Sequence, residues 1–124
     1  MDVEVVSFTV IGISSHENDY RLSWSINEQL GLALAKADNI SIGDDKEFTC
    51  FAHEDERQAL QLISNRCDNG FLLEKYKNLD FFLKFGFELS ETEKTDWFGR
   101  LKNVPLISAL FHIPVDRKIL RVLG

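Results

Sequence analysis

The densest run of metal-ligand side chains is His53-Glu54-Asp55-Glu56. An imidazole beside carboxylates offers donors that divalent metals take. With His16 or Glu17 brought near by the fold, the run would make a ligand set. Its spacing argues against one. There is no HExxH, no histidine pair at i and i+4, and no glycine-bearing calcium loop. Consecutive residues of a turn also point in different directions. A solvated turn is the expectation, with no metal.

His16 and Glu17 lie in a second polar stretch, Gly12 to Asp19, between a strand and a helix. Helix N-termini hold anions. Here Glu17 and Asp19 already occupy the positive end of the dipole, so a phosphate would meet two carboxylates. No G-x-G-x-x-G or P-loop pattern occurs. A capped helix start is expected. Cys50 falls in an apolar alternating strand with Phe48 and Ala52, where inert buried thiols are common. Cys67 follows Arg66, which favours thiolate, but strand neighbours point to opposite faces. His112 would act as their base only through a tertiary contact, and no cysteine-enzyme signature is present. No catalytic residue and no cofactor are assigned. The ligand-binding candidates are His16, Glu17, His53, Glu54 and the aromatic Trp24.

Aromatics are the unusual part of the composition, with ten Phe in 124 residues. Each contributes roughly 1.5–3 kcal/mol when buried. Tyr20, Trp24, Phe71, Tyr76, Phe82 and Trp97 could line a pocket or an interface, since aromatics concentrate at interface centres. Core is the default for most of them.

The elements that must position these residues alternate in period. Val3 to Ile11 reads as a strand of β-branched residues, broken at Gly12. His16 to Leu30 carries both periods: Tyr20, Leu22, Trp24 and Ile26 alternate, while Leu22, Ile26 and Leu30 are spaced by four. The caps decide for a helix, with Ser14, Ser15 and Asn18 before it and Gly31 after it. Tyr20 and Trp24 then lie opposite the Leu22 face. Strands are expected at Leu32–Ile42, Phe48–His53 and Ala59–Arg66, with turns at Gly43-Asp44-Asp45 and Glu54 to Arg57. Asn69-Gly70 signals a hairpin through positive φ, with Phe71 to Leu73 returning along the previous strand. Leu79 to Leu89 is the clearest strand. Leu79, Phe81, Leu83, Phe85, Phe87 and Leu89 share one face, and Asp80, Phe82, Lys84, Gly86 and Glu88 share a wet one. Phe82 is the informative exception: either a second layer covers it or a partner does. Ser90-Glu91-Thr92-Glu93 is a capping box opening a helix with Lys94, Trp97, Phe98, Leu101 and Val104 at helical spacing, its end marked by Asn103 and Pro105. Leu106 to Ile113 is a last strand, stopped by Pro114, and the tail is a docked helical turn.

Together these give an α+β fold: a mostly antiparallel sheet of about six to seven strands, with two helices packed on one face. The length fits one domain over residues 1–124. Two cysteines make no disulfide framework. Met1-Asp2-Val3-Glu4 lacks the positive start of a secretory leader, so free thiols and a cytoplasmic location are expected. The net charge of −6 leaves little affinity for nucleic acid or anionic membranes, and no run reaches the ~20 apolar residues of a spanning helix.

The segment Val10 to Trp24, with Leu30-Gly31-Leu32, Asn65-Arg66 and Asn69-Gly70, resembles the IPExxxVDY family of small bacterial proteins, met mainly in Bacteroidetes. The similarity in length and element order runs over most of the chain. Of the motif in the family's name, the fragments Ile113-Pro114 and Val115-Asp116 are present. The resemblance implies a bacterial cytoplasmic origin and carries no catalytic residues. The functional expectation is a non-enzymatic interaction or regulatory domain, as a homodimer or with a protein partner. The alternative is a small-molecule sensor or enzyme with a pocket between sheet and helices, using His16, Glu17 or His53.

Overall fold

The computed structural model describes residues 8–124. Residues 3–7 of the expected first strand lie outside the described part. β1 (Thr9–Ser14) leads to α1 (Asp19–Leu30), followed by β2 (Ala35–Ile42), β3 (Lys46–Glu54) and β4 (Ala59–Ser64). A short ribbon, β5 (Arg66–Cys67) and β6 (Gly70–Phe71), and a 3-10 turn (Glu74–Tyr76) precede β7 (Phe81–Phe85). α2 (Glu91–Leu101), β8 (Ala109–Ile113) and α3 (Arg117–Leu123) complete the chain. The six long strands form one sheet in the order β2-β3-β4-β7-β1-β8, and every ladder is antiparallel. The α+β reading holds. Among the described residues no helix is long and apolar enough to cross a membrane.

α1 resolves the conflict of periods in favour of the helix. Leu22, Ile26 and Leu30 are buried along one stripe. The Asn18 side chain accepts from the Arg21 N–H, and Gly31 closes the helix at φ 68°, a left-handed conformation that glycine adopts without a Cβ clash. The start at Asp19 rather than His16 has a local cause. The Ser15 hydroxyl accepts from the Glu17 N–H and donates to the Leu106 carbonyl, which ties the preceding loop to another segment. The capping box of α2 forms as expected: Ser90 Oγ accepts from the Glu93 N–H, and Glu93 Oε1 from the Ser90 N–H.

The largest correction concerns the second face of the sheet. α1 and α2 cover the first face, where Ile11, Leu62, Leu83 and Phe85 meet Leu22, Ile26, Trp97 and Leu101. The other face is not wet. Phe48, Ile63 and Phe82 are fully buried there beneath Leu72, Leu73 and Leu79, with Ile119 and Leu123 of α3. The cover is mostly irregular chain, so it leaves no periodic signature. Asn65 holds it in place: its Nδ2 donates to the Tyr76 and Leu79 carbonyls, and its Oδ1 accepts from the Leu73 N–H.

Three local expectations change with it. Leu79 precedes β7 and packs into the second core, not on the Phe81 face. Gly12 does not break β1; it pairs with Phe82 on one side and Phe111 on the other. A Cβ there would lie 2.6 Å from Leu79 Cδ1, so a close approach, not a turn, explains the glycine. The hairpin turns on Asp68-Asn69 rather than Asn69-Gly70. No described non-glycine residue has positive φ, and Gly70 already lies in β6. β6 returns only along β5, because the strand beside β4 is β7.

Candidate functional site

His53 has both ring nitrogens engaged. Its Nδ1 accepts from the Ala33 N–H at 3.0 Å, and its Nε2 faces Asp55 Oδ2 at 2.9 Å. Because Nδ1 accepts from a backbone donor, the proton belongs on Nε2, which donates to the carboxylate. This pins the α1–β2 loop to the β3–β4 turn. Asp55 Oδ1 closes that turn by accepting from the Arg57 and Gln58 N–H groups. The hydrogen bond from His53, followed by those two backbone donors, holds the Asp55 carboxyl below its ordinary range. The imidazole is a structural clasp, with no lone pair left for a metal. Glu54 is exposed beside it.

His16 and Glu17 sit at the opposite end of the strands. The register carries His53 through Leu60 and Phe85 to Thr9, where β1 begins. His16 follows Ser14, where β1 ends. About 17 Å of strand separates those levels at 3.4 Å per residue. His16 is exposed, and Glu17 pairs with Arg21 at 3.2 Å. They line an open groove of about 360 Å³ with Ser15, Ser64, Arg66 and Asp80. Asp80 organises it, taking the Ser15 N–H at 2.9 Å and Arg66 Nη2 at 3.0 Å. The Arg66 charge is thus already answered. A larger open groove of about 740 Å³ continues past Arg66 toward Asp19, Asp45, Glu47 and Asp68. Among the described residues no group of three or more His, Cys, Asp or Glu is placed to hold a metal ion.

Neither thiol is assembled for chemistry. Cys50 is buried in the second core, and burial raises its pKa against the weaker opposing effect of the Gln61 hydrogen bond. Cys67 Sγ lies 3.1 Å from Asn69 Oδ1, at the mouth of the ribbon.

No family model matches the chain, and no curated protein matches it.

Two aromatic surfaces remain. Tyr20 is 68% and Trp24 59% exposed, one turn apart on the side of α1 away from the core. With Ser23, Asn27, Leu34 and Phe51 they line a groove of about 420 Å³ between α1 and β2. Asn27 shapes its floor by exchanging two hydrogen bonds with the Leu34 backbone. Of the five candidates only Trp24 belongs to this surface. The second surface is Phe111, 43% exposed on edge strand β8. Sequence reasoning missed it. The signal was a segment without Asp, Glu, Lys or Arg, Ala109 to Ile113, in the last strand before Pro114.

Proposed function

We propose that the chain is a non-enzymatic interaction domain of a bacterial cytoplasmic protein, working as a homodimer, and that the Tyr20–Trp24 face of α1 receives a segment of a partner protein. The observation that carries the reading is the exposure of two large aromatic rings one helical turn apart, while the polar candidates are dispersed or already bonded. Rings so placed supply large contact area at small entropic loss, the property of interface anchors.

The neighbouring strand narrows the kind of partner. β2 carries Lys36 and Asp38, and its register shifts between Ala37 and Ile40. Charges and bulges protect an edge from strand addition. The partner is therefore read by side chains entering the groove rather than by backbone pairing. The chain's charge of −6 and the exposed π faces favour a segment with Lys or Arg beside an apolar residue. Two free thiols and the family resemblance support the bacterial cytoplasm. The space between sheet and helices is filled by Leu22, Ile26, Phe85 and Trp97, which disfavours a small-molecule pocket there.

Titrating the intact protein with short peptides that pair Lys or Arg with an apolar residue tests this through tryptophan emission. The expected result is a blue shift that disappears in Trp24→Ala, leaving buried Trp97 silent. A shift that survives Trp24→Ala, or none with any such peptide, contradicts the assignment.

A further inference from the structure

The second core holds a row of apolar residues that crosses the sheet and stops at its edge. Cys50 pairs with Ile63, Ile63 with Phe82, Phe82 with Gly12, and Gly12 with Phe111. Directly paired residues share a face. The first members of the row are buried, and Phe111, the last, is 43% exposed. The apolar row therefore ends in solvent at β8.

The backbone at that edge is also available. The Ile13 carbonyl accepts from the Asp80 N–H, and the Ser14 carbonyl from the Ser108 N–H. Odd residues of β1 thus bond toward β7 and even ones toward β8. Phe111, opposite Gly12, turns its N–H and carbonyl inward. Leu110 and His112 turn theirs outward, and among the described residues β8 pairs with β1 alone. The strand contains no Asp, Glu, Lys, Arg or Pro, and its register over the paired residues is unbroken. Charged side chains, prolines and bulges are the devices that block edge pairing.

We propose that β8 pairs antiparallel with β8 of a second copy, about a two-fold axis at Phe111, making one continuous twelve-stranded sheet. The proposal rests on the interaction-domain reading and names the surface that joins the copies. Leu110 of one copy meets His112 of the other, which gives four backbone hydrogen bonds. Phe111 meets its own symmetry mate at a non-hydrogen-bonded position, where Cα atoms approach to about 4.5 Å.

The helix above this edge carries acidic residues at its start and basic ones at its end. Glu91, Thr95 and Phe98 line one side of α2 at helical spacing, and Lys102, which caps the helix, continues it. That side faces away from α1, toward which Arg100 reaches by donating to the Leu30 carbonyl. It borders a groove with His112 on its floor. The two-fold axis sets the α2 helices antiparallel. Glu91, which pairs with Lys94 of its own copy at 3.5 Å, then lies toward Lys102 of the second copy and Thr95 toward Phe98, so the acidic start of each helix meets the basic end of the other.

Solution mass measured over a concentration series, with one cross-link, tests the assignment. The intact chain should be dimeric. Phe111→Lys should raise the dimer Kd by about 30-fold or more, the loss of a central anchor, with its circular dichroism unchanged. Phe111→Cys, in a Cys67→Ser background, should form a disulfide-linked dimer under mild oxidation, because the central Cα separation lies within disulfide range. Trp24→Ala should dimerise as the intact chain does. A wild-type chain that stays monomeric overturns the proposal, and so does a Phe111→Cys protein that does not cross-link. If Phe111→Lys misfolds, the cross-link alone decides. A dimer abolished by Trp24→Ala but not by Phe111→Lys moves the contact to α1 and overturns β8. A monomer that still binds peptides through Trp24 leaves the interaction-domain reading standing, and loss of that binding with an intact β8 dimer sinks only the Trp24 assignment.

Discussion

Phe82 and Trp24 belong to the same class of side chain and meet opposite fates. Phe82 projects from the middle of the sheet and is sealed by irregular chain and α3, with none of its surface exposed. Trp24 projects from a helix whose opposite stripe already fills the first core, and it stays in water. The difference is one of supply. The second face gains a cover because Asn65 folds the segment before β7 over it. The outer face of α1 has no such segment among the described residues. An aromatic that the fold covers is structural, and the one that it leaves uncovered is the anchor we propose for a partner.

Breaking the covered side should have the largest effect. Phe82→Ala removes a ring from a closed core and is expected to cost about 3–5 kcal/mol, read as a lower urea midpoint with little change in slope. Asn65→Ala should follow. It leaves the Leu73 N–H and the Leu79 carbonyl short of a partner in a buried site, at about 1–3 kcal/mol for each group left unsatisfied, while the Tyr76 carbonyl keeps the Leu79 N–H. Its distinctive signature would be faster amide exchange from residue 72 to 79 than in the first core. Ser90→Ala removes the hydroxyl half of the α2 capping box and should cost about 1 kcal/mol, sharpening the contrast because α2 covers only the first face.

Smaller still is the acid response of the His53–Asp55 clasp. The Asp55 pKa is lowered in the fold by the His53 hydrogen bond and then by two backbone donors. A depressed carboxyl pKa stabilises the fold above the unfolded value of about 3.9, and that contribution is lost as pH falls through the folded value. The stability gap between the intact chain and Asp55→Asn should therefore close as pH drops below about 4. A gap that widened there would contradict the assigned hydrogen bonds.

Much of this architecture was legible in the residues, for reasons particular to each element. Ser90 and Glu93 announced α2 because a capping box is local chemistry. Leu22, Ile26 and Leu30 announced the buried stripe of α1, and the same spacing set Tyr20 and Trp24 apart from it. The second core was not legible. Its cover runs through Leu72, Leu73 and Leu79 with no period, and Asn65, which holds it, reads as one more residue of the strand Ala59–Arg66. Gly12 misled because a strand glycine marking close approach to Leu79 looks the same as one that ends a strand. At the candidate site, Trp24 could be named from its place opposite the core stripe. The separation of His16 from His53 depended on sheet register, which lies beyond sequence spacing. Phe111 went unseen because edge position is a property of strand order.

Trp24 differs from Phe82 in being dispensable to the fold. Urea unfolding of Trp24→Ala beside the intact chain measures that directly. The expected change is within about 0.5 kcal/mol, as for a surface substitution. A loss approaching that of Phe82→Ala would make Trp24 a structural residue and contradict its assignment as a surface kept for a partner.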